Sequence, residues 1–241
     1  MKKAVGFDQK ILLHQLDYMA KEIGRNEKDD LYNLMDEYLK SDIAGNKSRL
    51  NARTIIFKIW CLVPESHQYI QQRAVQMYPH CSQAEKLLIH WGLTMLAYPF
   101  FRDVVHEMGK LYKLQDELSS EQINRKMKSL YGDRRRIEVA TSAVLTSLRS
   151  WNVIETKKNA NRMVQSFNIG NFDLKSWLVE VLLIATEAEA LSMQMINDHP
   201  LLFPFEYLIS QSDLRTERFM VTRQGVDMVM IRLNKRSLVQ S

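Results

Sequence analysis

Residues 118–169 have the sequence LSSEQINRKMKSLYGDRRRIEVATSAVLTSLRSWNVIETKKNANRMVQSFNI, and they hold the most regular pattern in the chain. Apolar residues recur there in two runs at steps of three and four, which predicts a short helix and then a longer one. The first run is Leu118, Ile123, Met127 and Leu130, and the second is Ile137, Ala140, Val144, Leu148 and Trp151. Ser119 and Gln122 have the spacing of a capping box, while Gly132 supplies a turn and Asp133 is placed to cap the longer helix.

Two short β-like runs follow, at 152–156 and 163–169, on either side of a polar, basic loop. Because turn-forming residues lie at the tip of that loop, the pattern predicts a β-hairpin. The longer helix directs its apolar stripe inward, so its remaining side chains are predicted to face outward. That outward set is Arg134, Arg135, Glu138, Thr141, Ser142 and Arg149, with Leu145 as an apolar member.

This order of a helix, a tight turn, a longer helix and a basic hairpin resembles the winged helix-turn-helix superfamily. The resemblance implies a module that presents its second helix to the major groove of double-stranded DNA. Arginine can form paired hydrogen bonds with guanine, and serine can bond to phosphates or to bases. The predicted DNA-contacting residues are Arg134, Arg135, Ser142 and Arg149 in the groove, and Lys157, Lys158 and Arg162 on flanking phosphates. Lys126 and Lys128 are expected to add attraction that is independent of base sequence.

A second resemblance covers residues 46–156. An Asn- and Arg-containing helix, NKSRLNAR at 46–53, is followed by the segment LAYPFFRDVV at 96–105 and then by the helix-turn-helix pattern. This order is similar to the BrxA family, which are small DNA-binding components of the BREX phage-defence systems. The resemblance implies an accessory, non-catalytic role on nucleic acid in a bacterial defence operon, alongside other defence proteins.

The whole chain is predicted to be mainly α. Gly and Pro number only 8 and 5 among 241 residues, which favours long helices. We predict a helical bundle over 1–115, the winged helix-turn-helix over 116–170, and a C-terminal helix plus β-hairpin over 171–241, packed together because no flexible linker separates them. The first helix is expected to begin at Phe7, and a third, over 48–62, to carry Arg49 and Arg53 on the side opposite its core face. A capping box is expected at Ser82 and Glu85, and a hairpin turn at Gln224 and Gly225; no tandem repeat is evident.

Composition narrows the function classes. The net charge of +5 permits a polyanionic partner without demonstrating one. Only two cysteines occur, which excludes a disulfide framework and favours the reducing cytoplasm. We expect neither a signal peptide nor a membrane span, since no apolar run is long enough.

We also expect no cofactor and no metal. The residues that invite a zinc site, Cys61, His80, Cys81 and His90, match no standard zinc spacing. No motif of a serine hydrolase, a zinc protease or a phosphate-binding loop occurs. The prediction is therefore a non-catalytic protein that binds double-stranded DNA in regulation or in phage defence. The alternative is a protein-interaction adaptor in which the winged helix is only structural and the Met-rich C-terminal region or the N-terminal helices dock a partner.

Overall fold

The computed structural model describes residues 5–214, 217–224 and 228–234, and within these ranges the protein is mainly helical with small β-sheets, as predicted. The helices are α1 Leu13–Glu22, α2 Lys28–Leu39, α3 Asn46–Trp60, α4 Gln68–Met77, α5 Gln83–Ala97, α6 Pro99–Tyr112, α7 Ser120–Tyr131, α8 Arg135–Ser150, α9 Phe172–Thr186 and α10 Met193–Asn197. The strands are β1 Leu118–Ser119, β2 Ile154–Lys157, β3 Ala160–Met163, β4 Phe167–Asn168, β5 Leu191–Ser192, β6 Phe205–Glu206, β7 Phe219–Gln224 and β8 Met228–Leu233. The predicted turn residue Gly225 lies outside the described residues.

The N-terminal segment differs from the prediction of a helix that begins at Phe7. Residues 5–12 are not helical, and α1 begins only at Leu13. The backbone of Ile11 is used elsewhere: its N–H donates to the Ser147 hydroxyl at 2.9 Å, and its carbonyl accepts the indole N–H of Trp151 at 3.0 Å. These bonds attach the start of the chain to the far end of α8.

Helices α2 and α3 are joined by charges that the sequence prediction placed away from the core face of α3. Arg49 and Arg53 of α3 both pair with Asp36 of α2, at 3.2 and 3.6 Å. The two arginines are therefore part of a helix–helix contact, and little of either side chain is exposed.

Helix α5 lies at the centre of the molecule, in contact with α3, α6 and α9. The predicted capping box at its start is present: the Ser82 hydroxyl accepts from the Glu85 N–H, and the Glu85 carboxylate accepts from the Ser82 N–H. Gly92 allows α9 to approach closely, because a Cβ at that position would lie 2.6 Å from the Trp177 ring. Buried apolar side chains from all three predicted regions form one continuous cluster around this helix.

Residues 118–163 fold in the order β1, α7, α8, β2, β3. The three strands form one antiparallel sheet in which β3 lies between β1 and β2. The predicted capping box of Ser119 and Gln122 is present at the start of α7. The hairpin is tighter than predicted, since only Lys158 and Asn159 lie between the paired strands.

The end of the predicted hairpin run pairs elsewhere. Phe167 and Asn168 form β4, which lies parallel to β6 and takes no part in the hairpin. The third sheet repeats the strand arrangement of the first: β8 lies between β5 and β7, and β5 is again a Leu-Ser pair whose serine caps the next helix, α10. Between α10 and β7 the described residues form two short 3-10 turns and the strand β6.

Candidate nucleic-acid interface

Helix α8 leaves one side of its surface open to solvent. Arg135, Val139 and Ser142 are exposed along this side, with Thr146 and Arg149 half-buried further along. Arg135 has no carboxylate partner among the residues that the structure describes. Arg134 is the N-cap residue; it is half-buried and donates to the Tyr131 carbonyl at 3.0 Å. Of the four residues predicted to face the groove, Arg135 and Ser142 are thus exposed on this side, Arg149 is half-buried further along, and Arg134 lies at the start of the helix.

Two members of the predicted outward set are buried instead. Thr141 and Leu145 are each only 2% exposed, because α7 packs against that flank of α8. Together with Asn124, Arg149 and other side chains of the two helices, they line a cleft of about 230 Å³. Three polar atoms at this cleft are buried without a hydrogen-bond partner: Asn124 Oδ1, Thr141 Oγ1 and Arg149 Nε.

Asp133 does not cap α8 as predicted. The helix begins one residue later, with Arg134 at the N-cap position and no side-chain cap. The Asp133 carboxylate accepts from the Lys128 ammonium at 2.9 Å, and the same ammonium reaches Glu138 at 2.5 Å. The hydrogen bonds that this ammonium donates to Glu138 and to Asp133 raise the pKa of Lys128. This lysine is therefore less available to a phosphate than the sequence predicts.

The opposite flank of α8 is covered by the N-terminal segment. Arg136 pairs there with Asp8 at 3.2 Å, and Ser147 accepts the Ile11 N–H. These contacts lie on the side of the helix away from α7. Helix α8 is therefore packed between α7 and the N-terminal segment, and its side with Arg135 and Ser142 stays uncovered.

Arg149 joins α8 to the sheet and to α7. Its guanidinium donates to the Asn161 side-chain oxygen at 2.8 Å and lies 3.5 Å from the Ser120 hydroxyl. Asn161 is itself buried and donates to the Leu118 carbonyl at 3.0 Å. Burial lowers the pKa of Arg149, and no carboxylate of the described residues compensates its charge. The guanidinium of Arg149 is thus held near the surface by two uncharged partners, Asn161 and Ser120.

The hairpin β2–β3 carries the other predicted contacts. Lys157 and Lys158 are exposed and have no ion pair with any described residue. Lys158 and Asn159 form the turn with φ of +48° and +64°. Arg162 differs, because its guanidinium pairs with Glu117 beside a wide, open cleft in front of β3. Two of the three predicted phosphate contacts are therefore unpaired cations, and the third is neutralised.

Positive charge is concentrated in this part of the chain. Residues 118–163 contain ten Lys and Arg against four Asp and Glu, a net of +6, while the other residues contain 23 basic and 24 acidic side chains, a net of −1. Arg125 and Lys126 of α7 are also exposed without a described carboxylate partner. The sequence analysis did not identify Arg125 or Val139 as part of this surface. Val139 lies four residues after Arg135 and three before Ser142, and this helical spacing is the signal that could have indicated it.

Other kinds of site find no support in the described part of the chain. No group of three or more His, Cys, Asp or Glu residues there is arranged to hold a metal ion. None of the described helices combines the length and apolar character that crossing a bilayer requires. Both cysteines are free thiols, and burial raises the pKa of Cys61 to about 12 and of Cys81 to about 11. Comparison of the chain with protein-family models, curated proteins and solved structures finds no match.

Proposed function

We propose that residues 99–163 form a winged helix-turn-helix that binds double-stranded DNA without catalysis. In this proposal α6, α7 and α8 are the three helices, α8 enters the major groove, and the hairpin β2–β3 is the wing. The order of elements and the position of β3 between β1 and β2 support this assignment. The observation that carries the proposal is the open side of α8, with an unpaired Arg135 near its start, within residues 118–163, whose net charge is +6.

The wing offers independent support. A lysine at positive φ is disfavoured by roughly 1–2 kcal/mol relative to the right-handed region, and glycine or asparagine is the usual residue there. Lys158 nonetheless occupies the tip of the hairpin, next to Lys157. An exposed cation in the turn of the hairpin suits contact with a flanking phosphate.

Five unpaired cations within residues 118–163 determine how strongly DNA binding is expected to depend on salt concentration. They are Arg125, Lys126, Arg135, Lys157 and Lys158. If each displaces one counterion, the logarithm of the affinity falls with the logarithm of salt concentration with a slope of about −4.5, or about 500-fold between 50 and 200 mM. Residues 172–234, by contrast, have a negative net charge, since they contain five basic and nine acidic side chains.

Fluorescence anisotropy with a labelled duplex over a series of salt concentrations tests the proposal. The informative variant combines Arg135→Ala, Lys157→Ala and Lys158→Ala, and we expect its salt slope to fall to about −2. The control combines Arg25→Ala, Lys28→Ala and Lys47→Ala, which removes three exposed positive charges outside residues 118–163. Equal slopes for the two variants, or no binding by the wild type at low salt, contradict the proposal.

The biological context is proposed from the resemblance to the BrxA family alone. An accessory role in phage defence, or a role in regulation, places the DNA-binding surface within a larger assembly. Deletion of the gene from a host that resists phage, followed by complementation with the triple variant Arg135→Ala, Lys157→Ala and Lys158→Ala, tests this. Failure of the variant to restore resistance supports a DNA-dependent role, and full restoration contradicts it.

A second candidate function, a protein-interaction adaptor, is favoured by the C-terminal region. Large apolar side chains are exposed there although most others are buried. They are Phe172, Met195, Leu208, Met220, Val221 and Met228. Methionine adapts to varied partner surfaces, and exposed apolar groups often mark interaction sites. An adaptor would retain its partner when the three cations of α8 and the hairpin are removed, whereas a DNA-binding protein would lose nucleic acid and stay folded.

A further inference from the structure

Val139 is the apolar group on the open side of α8. Its side chain is 45% exposed, and it follows Arg135 by four residues and precedes Ser142 by three, so the three share one side of the helix. A β-branched residue is a poorer helix former than alanine, and its exposed methyl groups gain little from packing. The stability of the helix therefore gives no reason for valine at this position.

The residues around Val139 define the chemistry of this surface. Ser142 is small and exposed, so it does not obstruct close approach. The Thr146 hydroxyl donates to the Ser142 carbonyl at 2.7 Å, so its hydrogen is already used within the helix. Arg135, one turn before Val139, provides a cation for a guanine edge or a phosphate. Along this side the helix thus presents a cation, then a branched apolar group, then small side chains.

We propose that Val139 contacts the 5-methyl group of a pyrimidine in the major groove. This inference rests on the proposed function and adds a specificity-determining residue to it. The thymine methyl is the apolar feature that the major groove displays, and the N-terminal half of a recognition helix is the part that contacts base edges. Val139 is the fifth of the sixteen residues of α8. Because 5-methylcytosine displays the same methyl group, the test must compare both bases.

The test begins with selection of preferred duplexes from a random-sequence library by the wild-type protein. Each thymine of a selected site is then replaced in turn by deoxyuridine, which removes the methyl group alone. We expect one replacement to weaken binding about fourfold, equivalent to about 0.8 kcal/mol for one buried methyl group. The Val139→Ala variant should bind the thymine and deoxyuridine duplexes equally at that position.

The matched control is Val221→Ala, which makes the same substitution at a valine of similar exposure on β7. This control should keep the fourfold preference. Cytosine and 5-methylcytosine at the same position identify the source of the methyl group: tighter binding of 5-methylcytosine shows that the methyl is recognised in either base, and equal binding shows recognition of thymine only.

Two outcomes overturn the inference, and they are distinguishable. If wild type binds its selected duplex but no deoxyuridine replacement weakens binding, or if Val139→Ala keeps the full preference, then Val139 does not contact a methyl group and the proposed function stands. If no duplex binds at any salt concentration, the proposed function fails and this inference fails with it.

Discussion

The carboxylate of Glu180 is fully buried in α9, and replacing it tests the energetic account of the fold. It accepts from Arg73 of α4 and from Arg218, whose Nη2 lies 2.6 Å from Oε2. The guanidinium of Arg218 also lies 3.8 Å from the centre of the Tyr69 ring. One carboxylate therefore compensates two largely buried cations, and it joins the C-terminal hairpin to α4 and α9.

Glu180→Gln keeps the shape of the side chain, removes its charge and directs an amide N–H₂ at one of the guanidinium groups. Breaking a buried pair by neutralising one partner costs about 3–5 kcal/mol, because the charge of the other partner stays buried after its carboxylate is lost. Part of this loss is offset by the Tyr69 ring, so we expect a decrease of about 3 kcal/mol in the free energy of unfolding. With a urea dependence of about 2 kcal/mol per molar, the midpoint of unfolding falls by about 1.5 M.

Urea unfolding followed by circular dichroism measures this change. The control is Glu37→Gln, which removes a carboxylate that is 74% exposed and pairs with Lys40 on the surface. Exposed pairs contribute about 0–1 kcal/mol, so the control should unfold close to wild type. A loss of less than about 1 kcal/mol for Glu180→Gln would refute the reasoning, since water or rearranged side chains would then be solvating both arginines.

Three further changes test other parts of the structure. Gly109→Ala should lower the free energy of unfolding by about 1–3 kcal/mol, because a Cβ there overlaps the Pro200 carbonyl. The control is Gly170→Ala, where a Cβ meets no atom within 4 Å. Equal urea midpoints for the two variants contradict the prediction. Thr141→Val should raise the free energy of unfolding by about 1 kcal/mol, since it removes a buried hydroxyl without a partner. The control Thr146→Val loses a hydrogen-bonded hydroxyl and should not raise it. A Thr141→Val protein that is less stable than wild type refutes this prediction. Burial, with the nearby His106 and Lys113, lowers the pKa of His199 from 6.5 to about 4, so the folded state keeps it neutral while the unfolded state takes up a proton. Stability should therefore fall as the pH decreases from 6.5 towards 4, and His199→Asn, which can still accept the Leu201 N–H, should show a shallower decrease by urea unfolding at several pH values; an unchanged pH dependence argues against the role of His199.

Local signals in the sequence predicted local structure well. The capping boxes at Ser82 and Ser119 depend on residues three positions apart, and both form because each satisfies two free amide groups within one helical turn. Asp133 shows where such a signal fails. Its carboxylate is as suitable for a cap as a serine hydroxyl, but the Lys128 ammonium lies 2.9 Å away and binds it instead. The sequence gives no measure of that competition.

The outward face of α8 was predicted only in part, because periodicity identifies one buried stripe and does not show how wide the burial is. Ile137, Ala140 and Val144 are buried as predicted. Thr141 and Leu145 lie beside that stripe and are covered by α7, a contact that depends on the angle between the two helices. Helical spacing alone does not provide that angle.

Contacts between distant parts of the chain were beyond the sequence analysis. Residues 5–12 have helical spacing of apolar side chains, but Ile11 forms its backbone hydrogen bonds with Ser147 and Trp151. The similarity between the first and third sheets is likewise one of strand order, and its only local sequence sign is a Leu-Ser pair at 118–119 and at 191–192. Two residues are too few to indicate a repeat.

Crosslinking from the open side of α8 tests the central claim most directly. Ser142→Cys places a thiol on that side, and Ser66→Cys places one on an exposed turn before α4. Because burial raises the pKa of Cys61 to about 12 and of Cys81 to about 11, a thiol-reactive photocrosslinker near neutral pH should label the introduced cysteines selectively. The account predicts light-dependent crosslinks to duplex DNA from Ser142→Cys and almost none from Ser66→Cys. Duplex binding with no crosslink from Ser142→Cys, or equal crosslinking from both positions, would contradict it.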